Sequence, residues 1–276
     1  MNLELILAPV VSLEEDEAAL CAAHVLARTH DARAAALVIA VHPGSDYSEH
    51  AAPLSEVLAD IAAGSRGAAA RERARIASYL SKIEPSFELR DAVVEAALTQ
   101  KEIVAHARCA DLSVMTRARK GVRRAILEAI LFAAGRPLLL LPRDWRRQKL
   151  GERVLIGWNA SREAVRAVND ALPVLRRARQ VVVATVDARP SPSGHGEGPG
   201  RELAAHLARH GVSVDVRNLD SMGRSEAEVL MSAALDMAAD MMVIGAYGRS
   251  RAEERLFGGV TRDLLGDAQL PLFMSH

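Results

Sequence analysis

The amino-acid sequence predicts an α/β protein made of two tandem copies of one domain, residues 1–147 and 148–276. Short apolar runs alternate with helix-like stretches along the whole chain, which is typical of a parallel sheet covered by helices on both faces. The second half also repeats the first. ADLSVM (110–115) and ADMMVI (239–244) lie 129 residues apart, a period far too long for a solenoid repeat.

The predicted strands are divided equally between the halves, and several are apolar nearly throughout, as expected for parallel strands buried on both faces. In the first half they are Leu3–Pro9, Ala34–Val41, Phe87–Val94, Leu112–Met115 and Leu138–Leu141. In the second half they are Val154–Trp158, Val181–Val186, Ser213–Arg217, Met241–Ile244 and Leu270–Met274.

Helix signals fall at matching places in the two halves. A capping box is predicted before each repeated motif: Thr99 with Glu102, and Ser225 with Glu228. The halves differ after their second strands. The first has a long helical stretch at Leu54–Ile83, whereas the second has a glycine- and proline-rich loop at 188–200 and a short helix ending at Gly211.

Composition excludes several classes of protein. Half of the residues are apolar and a quarter are charged, so the chain can bury real cores. The net charge is zero, which argues against a nucleic-acid-binding protein. Cys21 and Cys109 lack a pairing or metal-ligand spacing, and the nine histidines lack a zinc spacing, so we expect no metal site and a cytoplasmic location. No run approaches the roughly 18 apolar residues of a membrane helix.

One segment carries a pattern typical of ligand binding, GAYGRSRAEERLFGGVT (245–261). It follows an apolar strand and precedes a helix-like stretch. Glycine after a parallel strand lets a ligand approach the backbone closely. A second glycine pair at a helix start exposes unpaired amide N–H groups to an anion, and the Thr261 hydroxyl could contact a phosphate or a metal. The segment therefore predicts a phosphate-binding loop.

The spacing G-x2-G-x9-G, with Gly245, Gly248 and Gly258 followed by Gly259-Val260-Thr261, resembles the nucleotide-binding signature of the universal stress protein family. The resemblance extends over both halves. It implies two Rossmann-like (adenine nucleotide alpha hydrolase-like) domains, each a five-stranded parallel sheet in the order 3-2-1-4-5. It also implies an internal pseudo-dimer that joins the halves through their last strands, with a further homodimer left open.

The resemblance implies that ATP, with or without Mg²⁺, binds in the second half. Asn159 takes the place of an acidic residue that ends the first strand in ATP-binding members, and Gly259 stands where the pattern usually has Ser or Thr. The implied nucleotide-binding residues are Gly157, Trp158, Asn159, Val186, Ile244, Gly245, Gly248, Gly258, Gly259, Val260 and Thr261.

The first half departs from the pattern at every corresponding position. Val11 takes the acidic position, and Thr116 and Arg119 take the two glycine positions. Where the phosphate-binding helix is expected to begin, the sequence reads RRAILEAI (123–130), without glycine or threonine. We interpret the first half as a structural partner. The basic run of Arg143, Arg146, Arg147 and Lys149 is interpreted as a solvated face.

The function predicted from these features is adenine-nucleotide binding with a regulatory or stress-response role. No catalytic residue is assigned, because hydrolysis needs a positioned water, a base and a charge clamp, and Asn159 offers no carboxylate. Two alternatives stay open. One is a scaffold of the same fold that binds no nucleotide and acts on unidentified protein partners. The other is a slow ATPase, to which Arg249, Arg251 and Arg255 would contribute charge.

Overall fold

Ten strands form a single sheet in the computed structural model, which describes residues 2–42, 55–84, 86–95, 100–190, 195–246, 263–265 and 269–276. The strand order is β3-β2-β1-β4-β5-β10-β9-β6-β7-β8. The strands are β1 Leu5–Val10, β2 Arg33–His42, β3 Glu88–Glu95, β4 Leu112–Thr116, β5 Leu138–Leu141, β6 Arg153–Gly157, β7 Gln180–Val186, β8 Val214–Leu219, β9 Met241–Gly245 and β10 Leu272–Ser275. All ten predicted strands are confirmed, with ends that differ by at most two residues.

The two halves have the same strand order. It is β3-β2-β1-β4-β5 in the first half and β8-β7-β6-β9-β10 in the second. Neighbouring strands within each half are parallel, in the order 3-2-1-4-5 that the family resemblance implied. The last strands meet in antiparallel register, with Leu140 opposite Leu272 and Leu138 opposite Met274. The predicted fold class is therefore confirmed. The domain boundary at residue 147 lies between β5 and β6 and stays a prediction.

Helices cover both faces of the sheet. The helices are α1 Leu13–His30, α2 Ser55–Leu80, α3 Gln100–Arg108, α4 Gly121–Ala129, α5 Arg162–Leu175, α6 Arg201–Arg209 and α7 Glu226–Asp236, with α4 running on as a π-helical turn at Ile130–Ala134. Helices α1, α2, α5 and α6 pack on one face and α3, α4 and α7 on the other. None of the helices in the described part of the chain is long and apolar enough to cross a membrane.

Strand side chains alternate between the two cores, as the pleat requires. In β1, Ile6, Ala8 and Val10 join the core under α1, whereas Leu7 points into the opposite core. Leu138 and Leu140 of β5 likewise face the core under α4. Each core runs through both halves without a break, so the two copies share their apolar interior.

The repeated Ala-Asp pair ties the fourth strand of each half to the beginning of the first. The Asp240 carboxylate accepts hydrogen bonds from the backbone N–H groups of residues 151–153 at 3.0, 3.0 and 3.1 Å. The Asp111 carboxylate accepts those of residues 4 and 5 at 2.8 and 3.0 Å. A carboxylate that accepts several N–H groups forms charge-assisted bonds, which are stronger than neutral ones. The repeat in the sequence is thus a repeated structural contact.

The local helix signals are largely confirmed. Ser225 and Glu228 form the predicted capping box at the start of α7, with the Glu228 carboxylate 2.8 Å from the Ser225 N–H. Gly211 follows α6 with a φ of +79°, a left-handed conformation that favours glycine. The long helical stretch of the first half is α2. Thr99, of the other predicted capping box, lies outside the described residues.

Candidate functional site

Three strands of the second half end together at one edge of the sheet. Gly157, the last residue of β6, is paired with Ala184 of β7 on one side and with Ile244 of β9 on the other. Six of the predicted site residues are gathered at this edge: Gly157, Trp158, Asn159, Val186, Ile244 and Gly245. The other five lie outside the described residues: Gly248, Gly258, Gly259, Val260 and Thr261. Ligands of open parallel sheets bind at this edge.

The turn after β6 is held by short-range hydrogen bonds. The Trp158 N–H donates to the Ala184 carbonyl at 2.8 Å. The Asn159 Oδ1 accepts the Ser161 N–H at 3.1 Å, and the Ser161 Oγ caps α5 by accepting the Ala164 N–H at the same distance. The exposed Asn159 therefore uses its oxygen for the turn. Its Nδ2 group, a donor, makes no hydrogen bond within the described part of the chain, so it is available to an acceptor on a ligand.

Gly245 is a glycine because α5 approaches the end of β9 very closely. A Cβ at this position would lie 2.4 Å from the Ala164 nitrogen and 2.7 Å from the Glu163 carbonyl carbon, both backbone atoms. The sequence interpretation assigned Gly245 to a tight turn and to ligand approach. In the structure, the contact that excludes a side chain is with the backbone of α5, so this glycine fixes how the helix packs on the sheet.

Sequence reasoning missed a buried carboxylate at this edge. Glu163 lies in the first turn of α5, its side chain is only 6% exposed, and Arg162 pairs with it at 3.0 Å. An acidic residue in the first turn of a helix is favoured by the helix dipole. That pattern is visible in the sequence, but it normally marks an exposed residue. The edge therefore holds a carboxylate although Asn159 is not one.

The far side of the edge is formed by the ends of β7 and β8. The Thr185 hydroxyl donates to Asn218 at 2.8 Å, and the Asn218 amide is bonded to the backbone of Ala188 at 3.1 and 2.9 Å. The Asp187 carboxylate accepts the Ser221 N–H at 3.0 Å. Hydrogen bonds from Ser221 hold the pKa of Asp187 below its ordinary value. Hydrogen bonds thus join the ends of β7 and β8 on either side of Val186.

In the first half, the corresponding edge is bridged by the protein's own side chains. The Arg123 guanidinium, in the first turn of α4, forms ion pairs with Glu15 and Asp16 at the start of α1. Asp16, which is 1% exposed, also accepts the Val11 and Ser12 N–H groups at 2.8 and 3.3 Å. Burial raises the pKa of Asp16, while the charge of Arg123 opposes that rise. The ion pair links the two helices across the ends of β1 and β4.

One expectation about the first half was wrong. We expected the helix after β4 to begin at residue 123 without a glycine, but α4 begins at Gly121, which has a φ of +75°. The left-handed conformation of Gly121 lets the chain turn from the extended Lys120 into the helix, so α4 begins two residues earlier. Thr116 does stand at the end of β4, fully buried, in place of glycine. The edge of the first half is thus marked by an internal ion pair as well as by Thr116 in the place of a glycine.

The part of the chain that forms this strand-end edge matches a known protein family. Residues 151–276 match the model of the universal stress protein family. The second half of the chain belongs to the universal stress protein family. The family predicted from the glycine motif is therefore confirmed. The universal stress protein domain begins two residues before β6 and includes all six site residues described above.

Solved structures share the fold of the whole chain. A universal stress protein from Archaeoglobus fulgidus DSM 4304 aligns with a TM-score of 0.69 and 13% identity, covering 98% of this chain and 95% of that one. A protein of unknown function from Pseudomonas aeruginosa PAO1 aligns at 0.56, with 15% identity over 99% and 92% of the two chains. A putative universal stress protein from Pseudomonas aeruginosa UCBPP-PA14 aligns at 0.54, with 15% identity over 99% and 93%. No curated protein matched.

Proposed function

We propose that the second half binds an adenine nucleotide, ATP in the first instance, at the edge formed by β6, β7 and β9. The observation that supports the proposal best is the contrast between the halves. In the first half, Arg123 pairs with the start of α1 across the corresponding edge. In the second half, Ala164 occupies the position on α5 that corresponds to Asp16, and the glycine motif follows β9.

The polar groups of the described edge suit a nucleotide. The family pattern has a carboxylate at this position, which would accept a hydrogen bond from a ligand hydroxyl. The Asn159 Nδ2 group is a donor instead, so we expect it to contact an acceptor atom of the ribose or the base. The phosphates would lie on the backbone amides of the glycine motif, as the resemblance implies. Bound Mg²⁺ would arrive with ATP and neutralise part of its phosphate charge.

We propose further that the bound nucleotide is hydrolysed very slowly or not at all, and that the protein acts through binding in a regulatory or stress-response role. The oxygen of Asn159 is already used by the Ser161 N–H. The carboxylate of Glu163 is buried and paired with Arg162. Neither group is positioned as a free base for an attacking water. A turnover of about 1 per second or faster would contradict this part of the proposal.

The two tryptophans of the chain allow a direct binding assay. Trp145 is buried, and its Nε1 group has no hydrogen-bond partner in the described part of the chain, so Trp145→Phe loses no such bond. Trp158, partly exposed beside Asn159, is then the only tryptophan. We expect ATP to change the Trp158 emission with saturation at one site per chain, measured together with calorimetry.

The matched variants separate the two halves. Gly258→Val places a side chain in the glycine motif and should abolish the ATP-dependent change. Arg124→Ala, on α4 of the first half, removes an ion pair with Glu128 and should leave it unaltered. A ligand at 100 times its Kd adds about 2.7 kcal/mol to the unfolding free energy, so thermal unfolding gives a second readout. Two equivalent sites would refute the assignment to one half. No response in either assay would favour the scaffold alternative.

A further inference from the structure

A groove in the first half lies on a different surface from the strand-end edge. It has a volume of about 720 Å³ and is formed by α1, by the end of α2 with the residues after it, and by residues 146–148 after β5. Clefts that bind small molecules usually measure about 300–1,000 Å³. The groove lies on the face of the sheet that α1 and α2 cover, and it shares no residue with the candidate nucleotide site.

The charges around the groove are unbalanced. Arg28, Lys82 and Arg147 line it, and none of the three forms an ion pair with a residue in the described part of the chain. One acidic residue, Glu84, is among the lining residues. In a chain whose net charge is zero, this is a local excess of positive charge. A concave surface with one sign of charge concentrates oppositely charged ligands.

Most cations of the basic run after β5 are paired with carboxylates and do not add to this excess of positive charge. Arg143 pairs with Glu15 at 3.1 Å, Arg146 with Glu17 at 2.5 Å and Lys149 with Glu152 at 2.9 Å. The interpretation of this run as a solvated face was therefore incomplete, since three of its four cations are neutralised within the protein. Arg147 is left to line the groove.

The inner surface of the groove is apolar with one polar atom. Val25, Tyr79 and Ile83 are partly buried and pack against the core beneath α1. His24 also lines the groove, and its Nδ1 atom is buried without a hydrogen-bond partner in the described part of the chain. Burial, followed by the charge of Arg28, lowers the pKa of His24, which favours the neutral imidazole. A buried polar atom without a partner is costly and is satisfied when a ligand supplies one.

We propose that this groove binds a small organic anion with an apolar or aromatic body, such as an aromatic carboxylate, sulfonate or phosphate ester. The acidic group lies between Arg28, Lys82 and Arg147. The apolar body lies on Val25, Tyr79 and Ile83, and a polar substituent reaches His24. The proposal does not depend on nucleotide binding in the second half.

The chain carries its own reporter for this groove. The two cysteines lie on opposite faces of the sheet. Cys21 lines the groove, with its Sγ 3.5 Å from the Tyr79 hydroxyl, whereas the exposed Cys109 follows α3. A ligand in the groove must cover Cys21 and leave Cys109 open. The alkylation rates of the two thiols, followed by peptide mass spectrometry, therefore distinguish binding in the groove from binding elsewhere.

The probe for the test is 8-anilinonaphthalene-1-sulfonate, an aromatic sulfonate whose emission rises in an apolar site. We expect one saturable site per chain, and alkylation of Cys21 by iodoacetamide at least fivefold slower at saturation, with no change at Cys109. The double variant Arg28→Gln/Lys82→Gln should weaken binding at least tenfold. The matched control Lys101→Gln/Arg209→Gln removes the same charge from exposed positions elsewhere and should bind like the parent.

Two results would overturn the proposal: equal affinity in the groove variant and in the parent, or probe binding that leaves the Cys21 rate unaltered. All four substituted residues are exposed, so thermal unfolding should show every variant to be folded. ATP provides a cross-check on the nucleotide site. If ATP protects Cys21 and loses affinity in the groove variant, the groove is confirmed as an anion site and the assignment of ATP to the strand-end edge fails.

Discussion

A buried histidine at the end of α1 makes the stability of the whole chain depend on pH. His30 is 9% exposed and lies near Arg177, which follows α5 in the second half. Burial, with a smaller contribution from the charge of Arg177, lowers the pKa of His30 from 6.5 to about 4. The imidazole is therefore held neutral in the folded protein, at a point where the two halves meet.

The direction of the effect follows from which state binds the proton. As the pH falls through 6.5, His30 becomes protonated in the unfolded chain but not in the folded one, so the free energy of unfolding decreases until the pH reaches about 4. At about 1.36 kcal/mol per pH unit, this interval corresponds to about 3 kcal/mol. Solvent reaches part of the surroundings of His30 and weakens the effects of burial and of Arg177. We therefore expect the free energy of unfolding to fall by about 2 kcal/mol over this interval.

The assay compares urea unfolding of the parent and His30→Gln at pH 7.5, 6.0 and 5.0. Glutamine has a similar size and cannot titrate, so the variant should lose less stability than the parent over this interval. His210→Gln is the control. Burial and the nearby His206 and Arg176 also lower the pKa of His210, but this residue is half-exposed after α6, so its variant should depart from the parent by less than His30→Gln does. An identical pH dependence in His30→Gln and in the parent would refute the reasoning.

Three further substitutions test contacts described above. Gly245→Ala should lower the free energy of unfolding by about 1–3 kcal/mol, because its methyl group would meet the Ala164 backbone; an unaltered urea midpoint would contradict that packing. Asp240→Asn halves the oxygens that accept three backbone N–H groups and should cost about 1–3 kcal/mol, measured in the same way. Arg123→Gln leaves the buried Asp16 without its cation and should cost about 3–5 kcal/mol at pH 8, and less as the pH is lowered, because burial raises the pKa of Asp16 and favours its protonated form. A loss that does not depend on pH would show that the charge of Asp16 is not the cause.

The strands were predictable because each is an apolar run bounded by turn residues. Their ends were less predictable, since backbone pairing extends β2 to Arg33 and β3 to Glu95, where polarity gives no indication of a strand. The strand order and the meeting of the two last strands were implied by the family resemblance, whereas the antiparallel direction of β5 and β10 was not predicted. Composition and periodicity alone did not provide either.

The details of the candidate site were harder to predict because they depend on contacts between distant residues. Arg123 and Asp16 are 107 residues apart, so no local pattern links them. Glu163 has the sequence position of an exposed first-turn residue, and only the packing of α5 against β9 shows that it is buried. The sequence correctly indicated that residue 245 must be a glycine, but the backbone that approaches it belongs to α5 and was expected to be a ligand. The gathering of β6, β7 and β9 at one edge was predictable, because parallel strands bring their carboxyl ends together.

The antiparallel pairing of β5 with β10 has a consequence for how the two copies could diverge. Separate chains that associated through the same strands as a symmetric dimer would have two identical sites, and a substitution in one would always occur in both. Here both strands belong to one polypeptide, so their association does not depend on protein concentration. One copy can then lose its ligand edge to an internal ion pair and still complete the sheet of the other. The strand-end edge of either copy can therefore change in sequence while the shared sheet is kept.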